Sequence, residues 1–192
     1  MTSFERSAKL LADGAVGVLP TDTVYGLVCR AADPKAVKRL YTLKQREQKP
    51  GTLIAANIDQ LVELGFKRRY LTAVEQFWPG AVSVVVPLSD HQTDYLRLGL
   101  PDIAIRIPKN KEVVNLLSRT GTLLTSSANS GGQKPASNIQ DANAYFGDKV
   151  DFYVDGGDLS DREPSTIIRI VDDAVEVLRE GAVKIDNNGA VK

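Results

Sequence analysis

The chain has 192 residues, 43% of them hydrophobic, which suffices for one domain with a substantial core and is marginal for two. Its 24 basic and 24 acidic residues cancel, so no global positive field advertises nucleic-acid binding, although a local basic patch stays open. A single cysteine, Cys29, and a single histidine, His91, exclude an internal disulfide, a cysteine-clustered metal site and the usual zinc constellations.

In chain order, Thr2-Ser3-Phe4-Glu5 reads as a capping box opening a helix to about Ala12, ahead of Gly14. No basic start and apolar run of a signal peptide is present. No apolar stretch is long enough to span a bilayer either, so the expected location is the cytoplasm, with no membrane partner. Ala15–Leu19 reads as a buried strand stopped by Pro20. Asp33-Pro34, an N-cap followed by proline at the first helical position, opens a helix with Val37, Leu40 and Tyr41 on one face. Thr52–Ala56 is a second apolar strand, and helical stretches follow near Ile58–Leu64 and Tyr70–Phe77, the latter ended by Trp78-Pro79-Gly80. Strands are expected at Val82–Val86 and Ile103–Ile107, with the polar stretch around His91 between them read as a solvated loop. A helix near Lys111–Leu117, a strand at Leu123-Leu124 and a helix near Ile139–Tyr145 come next. Thr166–Ile170 and Ala174–Leu178, joined by Val171-Asp172-Asp173, suit a hairpin. Short and long connections together predict a mixed sheet in one α/β domain, with a frayed tail at Asn187–Ala190.

Three polar clusters lie at strand ends, where function concentrates. Pro20-Thr21-Asp22-Thr23-Val24-Tyr25-Gly26-Leu27 reads either as a turn in which Asp22 bonds its own backbone or as part of a site. Lys44-Gln45-Arg46-Glu47-Gln48-Lys49 puts three cations at a helix C-terminus, where the helix dipole alone would favour them; Arg46 and Lys49 could also grip a triphosphate. Thr125–Gly132 offers hydroxyls, an amide and paired glycines after a strand, a turn able to hold an anion, without Walker-loop spacing. Alternation puts Arg106 on the face of Ala104, while Arg179 ends the last strand and Ser165-Thr166 begins the one before it. Cys29 reads as a packing residue. This inventory suits the positioning and charge stabilisation of phosphates.

Taken in order, these clusters, with Trp78-Pro79-Gly80, Ala104–Pro108, Ser127-Ala128-Asn129, Pro164–Ile167 and Arg179 before Gly181, resemble the YrdC and Sua5 proteins, the threonylcarbamoyl-AMP synthase family. The Lys44–Lys49 segment is one residue shorter than the family spacing, and Asn129-Ser130-Gly131-Gly132 departs from Asn-x-Ser-Gly. The resemblance implies a single-domain YrdC-like α/β fold over residues 1–185, a twisted mixed parallel/antiparallel sheet flanked by helices around a large positively lined cavity, with 186–192 a disordered tail. It implies formation of L-threonylcarbamoyl-adenylate and pyrophosphate from L-threonine, bicarbonate or CO2, and ATP, for a tRNA-modifying threonylcarbamoyl transferase complex acting at adenosine 37. By position, Lys44 and Arg46 would be catalytic. Thr23, Arg106, Thr125 and Ser165 would bind threonine, and Arg46, Lys49, Ser127, Asn129 and Arg179 would contact ATP. No protein-held metal is implied; Mg2+ would travel with the nucleotide. With no second domain after residue 181, the chain resembles the short YrdC-like type, whose more open cavity would release the intermediate more easily. The alternatives are a non-catalytic RNA-binding module of the same fold, for which 6% aromatic residues is low, and a carbamoyl-handling domain like that of hydrogenase-maturation carbamoyltransferases, without their acylphosphatase and zinc-finger motifs.

Overall fold

The computed structural model describes residues 2–45, 49–172, 174–186 and 189–190. Helix α1 (Phe4–Ala12) is capped by Ser3, whose side chain accepts from the Arg6 N–H, one residue later than the capping box predicts. Thr2 is drawn away because its own N–H donates to Tyr153 O at 2.9 Å. Strand β1 (Gly17–Pro20) starts two residues late, since the Val16 N–H is taken by the Asp151 carboxylate at 2.8 Å. The chain then turns straight into β2 (Tyr25–Arg30), an element the sequence reading leaves as part of a polar cluster. Asp33 caps α2 (Pro34–Lys44) as expected, and Gln45 ends it in the left-handed conformation at φ 50°.

Further along are β3 (Thr52–Ile54), α3 (Ile58–Glu63) and α4 (Arg68–Thr72), with a single 3₁₀ turn at Glu75–Phe77 in place of one continuous helix. After β4 (Val82–Pro87), the stretch around His91 is solvated as expected, but it is not a plain loop. It forms a 3₁₀ turn at His91–Thr93 and the short α5 (Asp94–Arg97), which buries Thr93 and Arg97 and leaves Ser89, Asp90, His91, Gln92 and Asp94 exposed. The reason is bonding both distant and local: Tyr95 donates to Ala31 O, 64 positions away, at 2.7 Å, and Arg97 to Leu100 O at 2.6 Å. Then come β5 (Asp102–Arg106), α6 (Lys111–Thr120), β6 (Leu123–Ser127), α7 (Ile139–Phe146), β7 (Phe152–Tyr153), β8 (Thr166–Val171) and β9 (Ala174–Arg179).

Among the described residues these strands form one nine-stranded sheet in the order β7-β1-β2-β6-β3-β5-β4-β8-β9. The β1–β7, β3–β5 and β4–β8 pairs are parallel and the others antiparallel, giving the predicted mixed sheet. One face carries Leu27, Cys29, Leu53, Ile105, Val84 and Leu124, the floor of the main core beneath α2. On the other face Val28, Ile54 and Leu123 pack with Leu11 of α1 and Val113, Leu116 and Leu117 of α6. Those two helices cover part of that face, and the rest of it carries polar and small side chains. No helix among the described residues is long and apolar enough to cross a membrane.

Candidate active site

The uncovered part of the second face is assembled by strand register. Thr125 of β6 pairs with Val28 of β2 and with Thr52 of β3, Thr52 pairs with Ala104 of β5, and Ile54 pairs with Arg106. Period-two alternation therefore points Thr125, Thr52, Ala104 and Arg106 the same way, as the sequence predicts for the last two. They line a pocket of about 120 Å³ with Thr21, Thr23, Gly26, Pro50, Gly51, Ser126, Ser127, Ser165 and Arg179.

Each of its walls is held by hydrogen bonds. In the β1–β2 connection, the Thr21 hydroxyl donates to Val24 O at 2.7 Å and lies 3.0 Å from the Thr23 hydroxyl. With its one proton committed, Thr21 must accept from Thr23, so the Thr23 oxygen keeps its lone pairs for a donor in the pocket. Arg106 is buried and donates to Asp22 Oδ1 at 3.0 Å and to Ser83 Oγ at 3.2 Å. Asp22 thus bonds a distant arginine rather than its own backbone. Ser83 Oγ lies 2.9 Å from Ser165 Oγ, and Arg179 clasps Ser165 through its carbonyl at 2.6 and 3.2 Å and its hydroxyl at 3.2 Å. Asp22 Oδ2, Arg106 Nε and Ser126 Oγ are buried without a hydrogen-bond partner among the described residues. Buried polar groups left in this state are costly; Ser126 pairs with Leu27 and so faces the core side of the sheet, while Asp22 and Arg106 belong to the pocket wall.

Lys44, at the end of α2, does not line the pocket. Its ammonium is 2.8 Å from Ser127 O, 2.5 Å from Asn129 O and 3.0 Å from Asn129 Oδ1, three acceptors among the described residues. Asn129 Oδ1 also accepts from Ser127 Oγ at 2.6 Å, while its amide nitrogen donates to Ser130 O and Gln133 O, both at 2.8 Å. Lys44 and Asn129 therefore form the back of the wall that presents Ser127. On the opposite side, Tyr25 donates to Gly157 O at 2.9 Å and accepts from the Gly156 N–H at 2.8 Å. Burial is the main cause that pushes its phenol above the ordinary value, which keeps it a neutral tie for that loop.

Of the residues singled out in the sequence, Thr23, Arg106, Thr125, Ser165, Ser127 and Arg179 meet at one pocket. Lys49 is exposed beside the pocket-lining Pro50, and Arg46 lies outside the described residues. Ser83 has no role in the sequence reading, where a lone serine within Val82-Ser83-Val84-Val85-Val86 is the available signal, and Asp22 is read there only as a turn residue or an unspecified part of a site. The pocket lined by the described residues measures about 120 Å³. A hollow of about 790 Å³ lies elsewhere, beyond the ends of β3 and β5, lined by Trp78, Ile107, Arg68 and Lys109 among others. No group of three or more His, Cys, Asp or Glu side chains among the described residues could hold a metal ion.

The order of these pieces along the chain matches a family model, Sua5/YciO/YrdC, described as telomere recombination, over residues 9–181. The chain belongs to the Sua5/YciO/YrdC family. The threonylcarbamoyl-AMP synthase of Vibrio campbellii is 32% identical over 173 residues, covering 87% of this chain and 94% of the relative. That of Bacillus subtilis is 30% identical over 191 residues, covering 97% of this chain, which spans 55% of the longer protein. Among solved structures, P. abyssi Sua5 complexed with L-threonine superposes with a TM-score of 0.84 at 28% identity, over 94% of this chain and 54% of that one. The family match ends at Gly181, where the backbone runs so close to the pocket wall that a Cβ would lie 2.2 Å from Pro164 O and 2.8 Å from the Ser165 carbonyl carbon. Only glycine fits there, and the Ala182 N–H bonds Pro164 O at 2.9 Å.

Proposed function

We propose that this chain is a threonylcarbamoyl-AMP synthase, converting L-threonine, bicarbonate or CO2, and ATP into L-threonylcarbamoyl-adenylate and pyrophosphate. The observation that carries the reading is the convergence of Thr23, Arg106, Thr125 and Ser165 on one pocket with Ser127 and Arg179 beside them. Among the described residues the hollow of about 120 Å³ is of a size for a small amino acid. In this reading threonine enters the hollow and ATP lies across its mouth.

In this assignment the guanidinium of Arg106, with Nε still unpartnered, takes the threonine carboxylate, and the Thr23 oxygen accepts from the amine or hydroxyl. Thr125 and Ser165 complete the threonine wall. The amine nitrogen attacks the carbon of CO2, or of bicarbonate with loss of water, and gives up a proton to leave a carbamate. A carbamate oxygen then bonds to the α-phosphorus as the bond to the β-phosphate bridging oxygen breaks, and pyrophosphate departs with the electron pair. Arg179, Arg46 and Lys49 would stabilise the phosphate charge, with Ser127, fixed by Lys44 and Asn129, orienting the nucleotide. Lys44 acts here as a positioning residue. Because no described carboxylate cluster suits a resident metal, magnesium is written as part of the nucleotide substrate and no step is derived through it. The adenylate would pass, in the cytoplasm, to a threonylcarbamoyl transferase complex that modifies adenosine 37 of tRNA. Residues 1–185 would form the catalytic domain. The RNA-binding module is not favoured, because the polar groups line a small recessed pocket rather than an extended basic surface with stacking aromatics.

The test is pyrophosphate release from ATP with and without L-threonine and bicarbonate, on the native chain and on Arg46→Ala. Release that requires both co-substrates and collapses in the variant is expected. Folded protein that releases none under any condition would overturn the reading and make tRNA binding the next measurement.

A further inference from the structure

Ser83 lines no part of the pocket and is completely buried, with no exposed surface. It stands in a strand of valines, where a hydroxyl costs more than a methyl unless it is bonded. Its position is set by register: Val84 pairs with Ile105 across β4 and β5, so Ser83 comes level with Arg106, and on its other side Ser83 pairs with Ile167, two residues past Ser165.

The proton directions in this cluster follow from its donors. Arg106 can only donate, so Ser83 accepts from Nη1 at 3.2 Å. Arg179 can only donate, so Ser165 accepts from Nη2 at 3.2 Å. Ser83 Oγ and Ser165 Oγ are 2.9 Å apart and either could donate; because Ser83 is wholly buried and Arg106 cannot accept, Ser165 is the partner among the described residues that satisfies the Ser83 proton. Ser165 then accepts twice, and its own proton is left for the pocket it lines. The chain of bonds runs from Arg106 through Ser83 to Ser165, with Arg179 joining from the far side.

We propose that Ser83 is a positioning residue that couples the two halves of the site, so that occupancy at Arg106 and occupancy at Arg179 each order the Ser165 hydroxyl for the other. This rests on the synthase reading above, in which Arg106 faces threonine and Arg179 faces ATP. A ligand that fixes either arginine removes freedom from the shared hydroxyl pair, and the second ligand then has less to order. Coupling is reciprocal, and one net hydrogen bond gives it a size of roughly two- to tenfold in affinity.

The experiment is calorimetric titration of L-threonine into the native chain, Ser83→Ala, Ser83→Cys and Ser83→Thr, each with and without saturating α,β-methylene-ATP. In the native chain the nucleotide analogue should tighten threonine by roughly two- to tenfold. In Ser83→Ala that ratio should fall to about one, while each ligand still binds alone. Ser83→Cys keeps the volume with a weak donor and should behave like Ser83→Ala; it carries the test if the alanine variant does not fold. Ser83→Thr keeps the hydroxyl and should restore the ratio, which a purely structural role would not do. An unchanged ratio in the alanine or cysteine variant overturns the coupling, as does a native chain that binds both ligands with no ratio at all; either result leaves the synthase reading standing. A native chain that binds neither ligand overturns both.

Discussion

Replacing Lys44 by methionine separates a lysine that builds the site from one that takes part in the reaction. Methionine follows the same path through the interior and supplies no donors. The lysine is 4% exposed, and its ammonium satisfies Ser127 O, Asn129 O and Asn129 Oδ1 together. Each buried acceptor left unmade costs about 1–3 kcal/mol, and relaxation with water entry returns part of this, so a net loss of about 3–5 kcal/mol is expected. For a chain of this size, each 1 kcal/mol lowers Tm by about 2–4 °C, so the melting point should fall by roughly 6–20 °C. Ser127 Oγ would also lose a fixed acceptor, because Asn129 Oδ1 is held by Lys44 on its other side. The Michaelis constant for ATP should therefore rise more than that for threonine. Differential scanning calorimetry and pyrophosphate release, run on the same preparation, decide the matter. A variant with unchanged Tm and intact binding of both ligands, but no turnover, would refute this reasoning and return the ammonium to the reacting groups.

Three further outcomes follow from the same geometry. Gly26→Ala would put a Cβ 2.6 Å from Thr125 Oγ1 and 3.1 Å from Thr21 Cγ2, on the pocket floor; we expect a higher Michaelis constant for threonine with Tm lowered by only a few degrees, and equal threonine kinetics would contradict the floor assignment. Burial, with a smaller contribution from Asp33, pushes the Cys29 thiol far up, so the folded chain should not react with a thiol-titrating disulfide at neutral pH and should expose one thiol in denaturant. At Asp151, burial acts to raise the carboxyl, but the Arg39 ion pair and the Val16 N–H together outweigh it and hold it below the ordinary value. A carboxyl held down in this way stabilises the fold above its unfolded pKa and loses that contribution as pH falls through the folded value. Arg39→Ala should therefore shift the midpoint of acid unfolding to higher pH, and identical midpoints would count against the pair.

Much of the fold was legible because its signals are local. Asp33-Pro34 marks the start of α2, and alternation puts Arg106 with Ala104 on one face, since both depend on residues a few positions apart. What escaped depends on partners far along the chain. β2 contains Gly26 and follows a polar turn, and it becomes a strand only because β1 and β6 flank it. β7 is two residues long and exists through its parallel pairing with β1. The site divides in the same way. Thr23, Thr125, Ser127, Ser165 and Arg179 could be singled out as hydroxyls and cations at strand ends. The bonds that give them direction, Arg106 to Asp22 across 84 positions and Lys44 to Ser127 across 83, leave no mark on local pattern.

The face that carries the site also carries part of the core, and the change occurs within single strands. Two residues apart on the same side, Val28 gives way to Gly26 in β2, Leu123 to Thr125 in β6, and Ile54 to Thr52 in β3. The apolar member of each pair lies under α1 and α6, and the polar or small member opens into the pocket. Because both belong to one hydrogen-bonded ladder, packing of the helices fixes the backbone from which the pocket side chains project. A hydroxyl at Thr125 cannot drift without disturbing pairs with Val28 and Thr52 on both sides. Preorganisation of this kind lets a site work with hydroxyls and arginines in place of a dedicated acid and base, since its task is to hold reacting groups and developing charge in register. It also explains how the site tolerates an unpartnered Nε at Arg106: the ladder, through its pairing with Ile54, holds that backbone in place.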